Sequence, residues 1–189
     1  MKFRFDNITI SGGVGVGKST LIDNLIPYLS PYGWQFKSLG DIHRKFLKDN
    51  VMPEAKKVSD EFDLKIEAEV KKILETQKHW IIQGWLSGFV ARHLDNTLRV
   101  LVICSHKSLK VDRVVNRDKV TVETAKQYIK QREEGNFEKY RRLYGNYDFW
   151  DPQYYHAVID TYAMGQLETV GRVLDLLGYD SSKINIRKK

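Results

Sequence analysis

Residues Gly12-Gly13-Val14-Gly15-Val16-Gly17-Lys18-Ser19 have the types and spacing of G-x-x-x-x-G-K-[ST]. Such a loop turns its backbone N–H groups inward around phosphate oxygens. Gly12, Gly15 and Gly17 keep Cβ atoms out of the way and permit positive φ. Lys18 reaches for the outer phosphates of a nucleoside triphosphate, and the Ser19 hydroxyl can ligate Mg²⁺. Thr20 extends the same stretch, so Gly12 to Thr20 is the expected ATP-binding segment. A helix following the loop points its positive N-terminal end at the same anion.

A loop of this kind needs a strand before it and a helix after it. Ile8, Thr9 and Ile10 are β-branched and lead into Ser11. After Ser19, the residues Leu21, Ile22, Leu25, Ile26 and Leu29 repeat with helical spacing. Further apolar runs at about 35–39, 80–83, 100–103 and 157–160 read as strands. Helical patterns lie between them, at about 60–76, 109–117, from Thr121 toward Glu134, and 166–177 with Gly178 ending the last. Strands alternating with helices predict an α/β fold, a parallel sheet covered on both faces.

At 189 residues the chain suits one domain over 1–189. It is 42% hydrophobic and 29% charged, so it is globular rather than disordered. Its single cysteine, Cys104, lies in an apolar strand and reads as a core thiol. One cysteine forms no internal disulfide, which fits a reducing cytoplasm. No apolar run approaches a membrane span and the N-terminus lacks a secretory pattern, so neither membrane nor export is expected. The net charge of +7 suits polyanions. Small nucleotides account for much of it, and the basic tail at 186–189 is too short to argue for nucleic acid. A monomer is expected.

Nucleotide-binding classes separate on what else is present. No Asn-Lys pair occurs, which removes the base-reading segment of a GTPase. A small-molecule kinase needs an acceptor pocket and several arginines to neutralise transferred charge. Residues 105–150 are rich in Lys, Arg and Glu, which reads as a surface helical pair or as a lid over the site. Arg113 and Arg117 are four apart and share a helix face, where an exposed pair beside Asp112 and Asp118 is the competing reading. Arg132 could equally pair with Glu133 or Glu134.

Several segments then come in a telling order: Gly40-Asp41-Ile42-His43-Arg44, Ile81-Ile82-Gln83-Gly84-Trp85-Leu86-Ser87-Gly88, Arg113-Val114-Val115-Asn116-Arg117-Asp118, Arg132-Glu133-Glu134, Lys139-Tyr140-Arg141-Arg142 and Ala157-Val158-Ile159-Asp160-Thr161. In order and spacing the chain resembles the short, archaeal-type cytidylate kinases from about Ile8 to Leu177. That resemblance implies a P-loop kinase fold with five parallel strands in the order 2-3-1-4-5. It also implies an NMP-binding region at about 40–78 and a short arginine-rich lid at about 108–135. The implied reaction is ATP + CMP (or dCMP) → ADP + CDP, with Mg²⁺. By resemblance, Arg44 holds the monophosphate, Arg113 and Arg117 close on the phosphates, and Arg132 faces the transferring group. Lys18 joins Arg113, Arg117 and Arg132 as the expected catalytic set. Asp41, Arg44, Asp63, Trp85 and Ser87 form the acceptor side.

Three positions depart from the family pattern. Gln83 replaces an acidic residue that positions Mg²⁺ through its water shell, and Asp41 is one carboxylate that could compensate. Trp85 replaces an arginine, offering either a stacking surface for an altered acceptor or plain packing. Lys139 stands where Arg is usual. Two other functions fit the same residues: a kinase for a different small acceptor, and a nucleotide-binding regulator with little catalysis.

Overall fold

The computed structural model describes residues 1–47, 58–180 and 182; the side chains of residues 43, 44, 46 and 47 also lie outside it. Its centre is a five-stranded sheet in the order β2-β3-β1-β4-β5. The strands are β1 (Asn7–Ser11), β2 (Gln35–Ser38), β3 (Trp80–Gln83), β4 (Thr97–Ile103) and β5 (Ala157–Asp160), and every pairing is parallel. Parallel strands need crossover helices, which is why both faces are covered. β1 is wholly buried in the middle, as a strand must be when helices pack above and below it.

One face carries α1 (Lys18–Leu29) and α7 (Gln166–Leu177). Their residues Leu21, Ile22, Leu25, Val170, Val173 and Leu177 pack with Ile8, Ile10 and Val100 of the sheet. The other face carries α3 (Asp60–Thr76), whose Ile66, Val70 and Leu74 meet Ile82 and Leu39. Asn7 ties these layers together. Its amide donates to Leu74 O at 3.1 Å and Gln77 O at 2.9 Å, and its Oδ1 accepts from Trp80 N at 3.0 Å.

The remaining helices are α2 (Leu39–Leu47), α4 (Ser87–Val90), α5 (Lys107–Asp118) and α6 (Val122–Tyr144). Thr121 caps α6 as expected, accepting from Thr124 N at 3.2 Å. The helix runs on through Gly135 to Tyr144, past the expected end near Glu134. A mid-helix glycine costs only about 1 kcal/mol, and packing the Tyr140 ring against Leu86, Phe89 and Phe149 offsets it. β4 begins at Thr97 rather than near Val100, because Arg99 interrupts the apolar run without leaving the strand. Its guanidinium donates to Tyr154 O at 2.8 Å and Leu94 O at 3.1 Å. α4 was not foreseen; four residues are too few to show a helical period.

Candidate active site

The 12–19 loop leaves the C-terminal end of β1, where parallel sheets place their ligand crevice. Gly12, Gly15 and Gly17 all adopt positive φ. Gly12 has no alternative, since a Cβ there would stand 2.2 Å from Val102 O. At Gly13 a Cβ would meet Glu133 Oε1 at 2.7 Å and the Trp150 ring at 3.0 Å, so a side chain there would displace the Glu133 carboxylate. The loop lines a cavity of about 900 Å³ with all of its residues from Gly12 to Thr20.

Lys18 folds back on the loop. Its ammonium donates to Gly12 O at 2.8 Å and also to Gly13 O. Burial, then the nearby Arg117 charge, pull Lys18 down to about 7, with Arg132 and Lys110 adding to the fall and Glu133 opposing it. Ser19 is exposed at the helix start, and Gln83 Nε2 donates to its Oγ at 3.4 Å.

The expected arginines border the same cavity, each with protein contacts of its own. Arg113 is braced rather than outstretched: it donates to Thr161 Oγ1 at 2.8 Å, Thr161 O at 3.2 Å and Gly15 O at 3.3 Å. Arg117 grips both oxygens of Asp118 at 2.7 Å, and that hydrogen bond pushes its already high pKa further up. Arg132 reaches the cavity from α6. Beside it, Glu133 pairs with Lys110 at 2.7 Å, joining α6 to α5 over the loop.

The acceptor-side expectations divide. Asp63 and Ser87 are buried and line the cavity. The Ser87 hydroxyl is engaged with Ser11 Oγ at 3.2 Å. Trp85 also lines the cavity, but its ring stacks on Tyr140 at 5.4 Å, meets Phe137 edge-on at 4.7 Å and lies tilted against Trp150 at 4.7 Å. The family arginine is thus replaced by a member of an aromatic cluster. The Trp85 carbonyl accepts from Gly12 N at 3.3 Å and Trp150 Nε1 at 3.1 Å, so the cluster also anchors the loop. Asp41 lies apart from the cavity lining. It sits in the first turn of α2 with an exposed side chain outside the cavity lining, its N–H donating to Ser38 Oγ at 3.2 Å. A carboxylate is stable there, exposed to water at a positive helix end. Arg44 falls on α2, and its side chain lies outside the described residues, as does the tail at 186–189.

Four contributors escaped the sequence reading: Thr161, Tyr140, Lys139 as a buried partner, and Glu67. Lys139 is 5% exposed, ion-paired with Asp63 and donating to Val58 O at 2.6 Å. Glu67 lies one turn beyond Asp63 and is buried against the cavity. The available signal was the pair's spacing beside Ile66 and Val70, which places two carboxylates at the edge of the apolar stripe. Among the described residues, no group of three or more His, Cys, Asp or Glu is arranged to hold a metal ion. The set present suits an ion that keeps most of its ligands as water and phosphate oxygen, with Ser19 as the protein donor.

A sequence profile of the cytidylate kinase-like family matches residues 35–163. The cytidylate kinase of Methanoregula boonei is 30% identical over 174 residues, covering 88% of this chain and 91% of that protein. Among solved structures, an uncharacterized protein from Eubacterium ventriosum superposes with a TM-score of 0.70 at 16% identity, covering 93% of this chain and 99% of the other. The shikimate kinase of Acinetobacter baumannii, solved with shikimate, gives 0.53 at 17% identity over 95% of this chain and 96% of its own. At those identities the two structures speak for the fold alone.

Proposed function

Because the chain belongs to the cytidylate kinase-like family, a family of nucleoside monophosphate kinases, we propose that it catalyses ATP + CMP (or dCMP) → ADP + CDP (or dCDP). The observation that carries this reading is one continuous cavity bordered by the phosphate-binding loop, three arginines and the buried acids of α3.

The loop N–H groups and Lys18 hold the triphosphate, and the α1 N-terminus adds its dipole. An incoming polyanion gives the Lys18 ammonium a reason to leave the carbonyls of Gly12 and Gly13. It also restores the proton that burial had made easy to lose. Phosphoryl transfer asks for positioning and charge neutralisation more than for a base. Arg117 and Arg132 supply cations beside Lys18, and Arg113 fixes the loop against β5. Ser19 Oγ would hold Mg²⁺, with the Gln83 amide next to it. When bound, the ion neutralises phosphate charge and helps to orient the transferred group. The aromatic wall and α6 keep bulk water from the reacting groups.

Coupled measurement of ADP release with CMP, dCMP, UMP, AMP and GMP tests this. Turnover is expected to be fastest with CMP or dCMP. No turnover above background with any of the five overturns it.

A further inference from the structure

Glu67 is a buried acid without a task in the reaction as described. It follows Asp63 by one helical turn on α3, so both carboxyls leave the same face. Both border the cavity, where Leu39, Ile66 and Val70 supply an apolar wall. Glu67 is 8% exposed and Asp63 4%. Their surroundings differ. Asp63 is ion-paired with the buried ammonium of Lys139. Glu67 Oε2 is sealed from solvent and has no hydrogen-bond partner. A buried polar atom of this kind destabilises the fold unless something meets it there.

Burial, then the Asp63 charge, push Glu67 up to about 8, against the pull of Lys139. The other groups facing this corner among the described residues are Tyr140 and Arg132, both from α6. Tyr140 keeps its proton, since burial drives it well above its usual value. At neutral pH Glu67 is therefore an uncharged acid, with one O–H donor beside one carbonyl acceptor. That pair matches the edge of a base whose ring nitrogen accepts and whose exocyclic amino group donates. The neighbouring ionised Asp63 only accepts. It suits a second amino N–H and repels a keto oxygen in the same place.

We propose that Glu67, beside an Asp63 held by Lys139, reads the base of the acceptor and selects a 4-amino pyrimidine over a 4-keto one. This rests on the reading that the acceptor is a nucleoside monophosphate.

Steady-state kinetics of wild type, Glu67→Leu and Glu67→Gln with CMP and with UMP, from about pH 6.5 to 9, test the assignment across the value of about 8. Glu67→Leu is expected to raise KM for CMP by about 10–100-fold and to erase most of the CMP preference, with KM for ATP within about twofold of wild type. Glu67→Gln keeps one donor and one acceptor and recovers most of that loss. In wild type, KM for CMP climbs as pH passes about 8, where the acid loses its O–H; the amide variant shows no such climb. An unchanged CMP-to-UMP ratio in both variants, each folded by circular dichroism, overturns the assignment. If Glu67→Leu does not fold, the Glu67→Gln profile decides, and a climb past pH 8 equal to that of wild type overturns it. A wild type that phosphorylates no nucleoside monophosphate is a separate failure: it removes the proposed function and this assignment with it.

Discussion

The phosphate-binding loop and the acid-bearing wall of the same cavity reach one electrostatic condition by opposite routes. Burial pulls Lys18 down to about 7 and pushes Glu67 up to about 8. Each side chain is moved toward neutrality: near pH 7 Lys18 carries its proton about half of the time, and Glu67 keeps its own most of the time. The loop does this with contiguous residues whose backbone supplies most of the binding groups. The wall does it with side chains from α3 and α6, braced by Val58 O and by an aromatic cluster. The difference shows in what each is suited to receive. A polyanion returns charge to Lys18, whereas a neutral base meets Glu67 as it stands.

The contrast is broken most severely at Lys18. Lys18→Ala is expected to lower kcat by about two to three orders of magnitude, as loss of a preorganised cation does. The melting temperature should hold, because the variant loses a partly desolvated amine rather than a packed core residue. Near-normal turnover would mean that the loop does not serve the reaction.

Glu67→Gln sharpens the comparison through stability. The folded Glu67 keeps its proton to about 8, whereas the unfolded side chain sheds it near 4.5. Stability that is intact below about pH 4.5 is thus lost progressively as pH rises toward 8. The amide has no such dependence. The variant should be more stable than wild type by on the order of 3 kcal/mol at pH 7, with the gap closing near pH 4.5. Urea melts at both pH values measure this, and a constant difference would contradict a buried neutral acid.

The smallest expected effect is at Gln83. Gln83→Glu places a carboxylate near Ser19, and the Mg²⁺ concentration for half-maximal rate should fall by about threefold to tenfold. Pairing this change with Trp85→Arg is less attractive than the sequence alone suggests. The guanidinium would enter a cluster of Phe137, Tyr140, Phe149 and Trp150, where an unpaired cation is costly.

How legible each region was follows from its chemistry. The loop acts through backbone and glycine, and glycine at Gly12 is forced by a carbonyl 2.2 Å from where a Cβ would stand. That constraint leaves a spaced pattern in the chain. The alternation of parallel strands and crossover helices was readable because those elements fill most of the sequence, whereas the strand order 2-3-1-4-5 followed only from the family resemblance carried by the later segments. Glu67 was not, because an acid on a helix reads as solvated until α6 is seen to cover it. Arg113 was named from its spacing and borders the cavity, but its engagement by Thr161 depends on two segments 48 residues apart. Asp41 follows Gly40, which lines the cavity, yet its own side chain is exposed outside that lining, a direction that the sequence does not encode.

α6 is a single rod of 23 residues, roughly 35 Å at 1.5 Å per residue. Arg132 and Glu133 bear on the loop from one stretch of it, and two turns later Lys139 holds Asp63. A rod cannot tilt at one point only. Any movement of Arg132 and Glu133 toward bound phosphates would carry Lys139 with it, and so would adjust the pocket for the other substrate. The two affinities would then be one linked quantity, each substrate altering the other's by the same factor.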